Sequence, residues 1–144
     1  MAKRGAPSFK WTEDIETEIL ERIAKGEAIR NICLDDWLPS WPTVNKRLRE
    51  DEAFVARYAR ARDDQADVLF EQCLAIADSQ EGDVITVDGE ERVNHDNIQR
   101  AKLRIDTRKW MAGKLRPKVY GEKLDLNHGG NVTVNLPERT ADIL

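Results

Sequence analysis

Five side chains between positions 43 and 49 are the ones best suited to chemistry in this sequence: Thr43, Asn45, Lys46, Arg47 and Arg49. The chemistry they suit is recognition rather than bond breaking. Arginine and lysine reach guanine edges and phosphate oxygens, asparagine reaches adenine, and threonine can serve either. At about 100° per residue, Trp41, Val44 and Leu48 share one stripe of a helix while Thr43, Lys46 and Arg49 point the other way. Asn45 and Arg47 sit on the flanks. Three more cations, Lys3, Arg4 and Lys10, lie in the first ten residues, a stretch without periodicity that reads as a flexible basic arm over 1–11. The same face on helix three would also suit a solvated surface of an ordinary three-helix bundle.

Catalytic and metal chemistry find little support. There is no GxxxxGK[ST] loop to cradle a nucleotide and no nucleophile with a base beside it. Asp63, Asp64 and Asp67 come nearest to a two-metal cluster, but helical projection spreads them along a charged outer face. His95 and His128 are too scattered to form a metal site, and Cys33 and Cys73 form no CxxC pair, so both thiols are expected reduced and packed. No cofactor, metal or catalytic residue is expected. No apolar run approaches membrane length and no leader pattern opens the chain, which leads us to expect a cytoplasmic protein with no membrane partner.

The elements that must carry those cations can be read from periodicity. A first helix is capped by Thr12, has Glu13 and Asp14 at its positive end, buries Ile15, Ile19, Leu20 and Ile23, and stops at Gly26. A short second helix covers about Ala28 to Leu34. After a turn ending at Pro39, Ser40 caps the third, with Pro42 in its first turn. Three short helices with a basic, amide-bearing outer face on the last match a helix-turn-helix plan over 12–51. A long fourth helix is expected from Glu52 to Asp78, its apolar sector covering nearly half the circumference. Val84 to Val93, two β-branched runs around Asp88-Gly89, predicts a hairpin. A fifth helix is capped by Asn94 and ends near Arg116, before Pro117.

Charged residues make up 35% of the chain, well above the usual quarter, and they are segregated. Residues 50–97 carry −10 and residues 98–123 carry +7. The +7 stretch around Arg100, Arg104 and Lys109 is either a rival phosphate-binding face or the electrostatic partner of the fourth helix. Helix five carries two opposed apolar strips: Ile98, Ala101, Ile105 and Ala112 on one side, Leu103 and Trp110 on the other. So much apolar surface in so small a chain points to a subunit interface, unless both strips are buried within the monomer. Residues 124–136 alternate on either side of His128-Gly129-Gly130, a hairpin pattern whose open edges neighbouring copies could close into a barrel. Residues 137–144 read as a free tail.

The strings Arg104-Ile105-Asp106-Thr107-Arg108-Lys109-Trp110 and Lys114-Leu115-Arg116-Pro117-Lys118-Val119-Tyr120-Gly121-Glu122-Lys123 resemble the small terminase subunit of tailed bacteriophages. The resemblance extends back through Phe70–Asp78 to Thr43-Val44 and covers most of residues 15–128. It implies a mainly α protein: an N-terminal helix-turn-helix, a central oligomerisation domain of two long helices over 52–123, and a short C-terminal β segment contributing to an intersubunit barrel. It further implies a ring of about eight to ten copies that binds double-stranded viral DNA at the packaging site. The ring would recruit and regulate a large subunit carrying the ATPase and nuclease. On this reading Phe70, Ile105, Trp110, Leu126, Val132 and Val134 serve oligomerisation. The protein works in the cytoplasm of the infected host and is not expected in the mature virion. A helix-turn-helix transcription regulator of a phage or prophage is the alternative, and a recombinase-like enzyme comes third.

Overall fold

The computed structural model describes residues 9–122. The expectations for Lys3, Arg4, Leu126, Val132 and Val134, and for the β segment and tail, lie outside them. Among the described residues the protein is mainly α: α1 (Glu13–Ala24), α2 (Ile29–Ile32), α3 (Trp41–Glu50), α4 (Glu52–Asp78), α5 (His95–Leu115) and α6 (Pro117–Tyr120). One antiparallel hairpin, β1 (Val84–Val87) and β2 (Glu90–Val93), separates α4 from α5.

Local chemistry sets most of these boundaries. The Thr12 hydroxyl accepts from the Ile15 amide at 3.3 Å and so caps α1. At the other end the Gly26 amide donates to the Ile23 carbonyl and the Glu27 amide to the Arg22 carbonyl. This double closure requires a left-handed residue, which Gly26 supplies at φ +101°. Ser40 stands at the start of α3, but its side chain caps no backbone amide; its Oγ lies 3.2 Å from Thr43 Oγ1. Pro42 fills the first turn, where a missing N–H costs nothing. Asp51 caps α4 by accepting from the Phe54 amide at 3.0 Å, and Asn94 caps α5 by accepting from the Asn97 amide at 3.3 Å. In the hairpin, Asp88 and Gly89 both have positive φ, the tight turn that matches strand twist. All eight strand residues are exposed, so the hairpin projects from the tip of the α4–α5 pair. Pro117 ends α5 as expected, but it also opens α6, because proline's fixed φ suits a first helical turn.

Two buried zones result. In the first, Ile19, Ile23, Ile29, Ile32, Leu38 and Val44 close around Phe54 and Ala61 of α4. This core therefore crosses position 51 and enlists the first half of α4. In the second, along the α4–α5 seam, Ala66 and Leu69 of α4 and Ala112 of α5 are buried, and the Cys73 thiol donates to the Leu69 and Ile105 carbonyls at 3.3 and 3.7 Å. Both cysteines are free and half-buried. Of the two strips on α5, that with Ala101, Ile105 and Ala112 faces α4, although Ile98 at its end is exposed. The other is bare: Leu103 is 55% and Trp110 64% exposed, so the described residues do not bury it.

Candidate nucleic-acid interface

The three N-terminal helices are held on α4 by polar links as well as by the apolar core. Glu16 is buried, accepts from the Trp11 indole N–H at 2.9 Å, and pairs with Arg57 of α4. Gln65, also on α4 and buried, donates to the Glu27 carbonyl at 3.0 Å and accepts from Arg62 at 2.7 Å. Each of these groups would be costly to bury unpaired. Within the module, Arg22 bridges Glu27 and Asp35, fastening the α1–α2 and α2–α3 connections to one guanidinium. The hydrogen bond from Arg22 holds the Glu27 carboxyl below the usual carboxylate range.

On this platform α3 buries Val44 and half-buries Trp41 and Leu48, leaving its opposite face in solvent. Lys46 and Arg49 are exposed on that face, with Asn45 half-buried beside them and the Arg49 guanidinium reaching back toward the Asn45 carbonyl at 3.5 Å. Thr43 is half-buried at the rim, next to Ser40. Lys10 is exposed at the entrance to α1.

Arg47 sits differently from its neighbours. Its guanidinium lies over the Trp11 ring at 5.1 Å and pairs with Asp51 at 3.1 Å. Asp51 is in turn held below the usual carboxylate range, chiefly by the Phe54 amide and then by burial-opposed attraction to Arg47. Arg47 thus joins α3 to the start of α4, and Lys46 and Arg49 are the two α3 cations left facing solvent. Sequence reasoning missed Arg30 on α2, which is exposed and stacks over the Trp41 ring at 4.6 Å, beside the start of α3. The clue was present in the pairing of an arginine with a tryptophan at the first position of the third helix.

The +7 stretch shows a similar division. Arg116 pairs with Asp67 at 2.7 Å, which also accepts from the Tyr120 hydroxyl at 2.6 Å. Among the described residues, Arg116 is the one cation of this stretch within ion-pair distance of an α4 carboxylate. Tyr120 stacks on Phe70 with ring centroids 4.7 Å apart, and Phe70 remains half exposed. Ile105 is half-buried in the α4–α5 seam rather than bare like Phe70 and Trp110. Among the described residues no group of histidine, cysteine and acidic side chains could hold a metal ion, and no helix is long and apolar enough to cross a membrane.

Comparison with known proteins gives this arrangement a context. The model of a family described as "Bacteriophage Sf6, terminase small subunit-like" matches residues 11–127. No curated protein sequence matches. Crystal structures of the terminase small subunit gp1 of the bacterial virus Sf6, each with a different single substitution, superpose on the chain with TM-scores of 0.65, 0.64 and 0.64. Each is 26% identical, and the match covers 91% of this chain and 95% of that one. The family model spans both the three-helix module and the α4–α5 pair, so the chain belongs to the Sf6 terminase small subunit-like family.

Proposed function

We propose that this protein is the DNA-binding, ring-forming small subunit of a viral genome-packaging terminase. The observation that carries the reading is the pairing of two surfaces in one family-matched chain: exposed Lys46 and Arg49 on α3, and bare Phe70, Leu74, Leu103 and Trp110 on the long helical pair. The first surface suits phosphates and base edges of double-stranded DNA. The second suits other copies of the chain. With two cations, Lys46 and Arg49, facing solvent on each recognition helix, a single copy binds weakly, and affinity comes from several copies engaging one DNA. The chain contributes no catalytic step of its own; ATP hydrolysis and DNA cleavage fall to a large subunit that it recruits in the cytoplasm of the infected host. Native mass spectrometry and a gel-shift titration against packaging-site DNA test the reading. A closed ring of about eight to ten copies that binds this DNA supports it, whereas a dimer points to a transcription regulator.

A further inference from the structure

Among the described residues, two surfaces of the α4–α5 pair remain without partners, and they differ in character. On one flank, Arg100, Arg104 and Arg108 follow one another at four-residue spacing along α5. Arg108 donates to Gln72 Oε1 at 2.8 Å and to the Arg104 carbonyl at 3.2 Å, and none of the three lies within ion-pair distance of a carboxylate among the described residues. They line a groove with Gln72, Ala75 and Ala101. On the opposite flank Phe70, Leu74 and Trp110 are 50%, 67% and 64% exposed. Glu71 and Asp78, both exposed and likewise without a cationic partner among the described residues, border that apolar face on α4.

We infer that the arginine flank of one copy docks on the aromatic and acidic flank of the next, with Arg100 and Arg104 meeting Asp78 and Glu71. The inference rests on the ring reading above and specifies its interface. Along the helix axes Arg100 and Arg104 lie about 6 Å apart and Glu71 and Asp78 about 10 Å, at 1.5 Å per residue, a difference that the long arginine side chains span. The aromatic groove itself is lined by Lys109 and Lys114 together with Asp106 and Glu122, so the net acidic charge of this flank comes from Glu71 and Asp78 at its outer edge. Guanidinium groups suit such a seat because they are weakly hydrated and stack on aromatic faces while pairing with carboxylates. The two surfaces are different patches on opposite flanks of one helical pair, so the contact is head-to-tail. Repeated, it closes into a ring or runs on as a filament, and it cannot satisfy itself in a two-fold dimer. DNA phosphate is the competing occupant of the arginines. The second copy is favoured because the same chain carries exposed carboxylates, Glu71 and Asp78, beside exposed aromatic surface on the other flank.

The test uses the full-length chain and three variants, each checked for unchanged helicity by circular dichroism. They are Arg100→Glu/Arg104→Glu, Glu71→Arg/Asp78→Arg, and the fourfold swap combining both pairs. Native mass spectrometry and sedimentation velocity follow assembly at low and at about 1 M salt, where screening shortens to roughly 3 Å. The wild-type ring is expected to loosen in high salt. Either double reversal is expected to weaken association on the order of 100-fold, and the fourfold swap to restore it. A wild-type ring whose assembly survives both double reversals would overturn the interface while sparing the ring. A wild type that stays monomeric at every salt would overturn both. Intact rings of Arg100→Glu/Arg104→Glu that have lost DNA binding would assign the arginines to DNA and overturn the proposal.

Discussion

Replacing Lys46 and Arg49 together with alanine separates recognition from scaffolding on α3, because the structure leaves these two cations free and engages the third. Each phosphate contact contributes about 0.9 to the slope of log affinity against log salt, so the double variant lowers the slope by about 1.8 for every copy engaged. Between about 50 and 200 mM salt, a fourfold change, this removes roughly a 12-fold salt-induced loss of affinity per engaged copy. Dividing the measured slope change by about 1.8 therefore counts the copies bound to one DNA. Arg47→Ala is expected to behave differently. Its stacking on Trp11 contributes about 0.5–1 kcal/mol, and its pairing with Asp51 is lost as well, so the melting midpoint drops by a few degrees. Filter-binding titrations at four salt concentrations, paired with thermal unfolding, measure both effects. An unchanged slope for Lys46→Ala/Arg49→Ala would exclude these two cations from the DNA contact. A lower slope for Arg47→Ala without a loss of stability would mean that Arg47 leaves Trp11 for the DNA.

Three further outcomes are expected. Phe54 is fully buried against the Trp11 ring at 5.1 Å, and Phe54→Ala should cost about 3–5 kcal/mol in urea unfolding and cost DNA binding with it. Gly26→Ala forces a side chain into φ +101° with its Cβ 3.3 Å from Val68, so it should destabilise the chain by about 1 kcal/mol or more; an unchanged melting curve would contradict that. The Asp67 carboxyl is held below its ordinary value of 3.8, first by the Tyr120 hydroxyl and then by Arg116. Its stabilisation is present above that ordinary value and is lost as pH falls through the folded one. Asp67 raises the Tyr120 hydroxyl above its ordinary 10.0, so that contribution holds below 10.0 and fades as pH rises through the folded value. Asp67→Asn should flatten both limbs of the stability–pH curve, and retention of the acid limb would place its origin in another carboxylate.

Much of the architecture was legible in the sequence because it rests on local chemistry. Thr12, Asp88-Gly89, Asn94 and Pro117 act within a few residues of themselves, and the elements they bound lie where the pattern put them. The long α4 was equally readable, since apolar residues recur along one side from Phe54 to Ile76, interrupted at Gln65. What periodicity could not reveal were contacts that depend on two helices meeting. Glu16 and Arg57, forty-one positions apart, become an ion pair only through the packing of α1 on α4. Arg47 looked equivalent to Lys46 and Arg49 by residue type. Trp11, from outside the helix, makes the difference. Ser40 shows the reverse: a suitable capping residue at the right position, with its hydroxyl turned to Thr43 instead. Helical projection did separate the two strips of α5, although it could not say that the strip with Leu103 and Trp110 would be left bare.

The continuity of α4 has a mechanical consequence. One end of this rod, about 40 Å long at 1.5 Å per residue, is the floor of the three-helix module, and the other is half of the α4–α5 pair proposed above to meet neighbouring copies. No hinge lies between them among the described residues, and Glu16, Gln65 and Phe54 lock the module to the rod. A recognition helix mounted this way cannot swing to find its groove. In an assembly, the angular step from one subunit to the next becomes the angular step between reading heads. If the proposed ring forms on DNA, it acts as a ruler for the pitch and bend of the duplex, and a strain on any one head is felt at the joint between subunits.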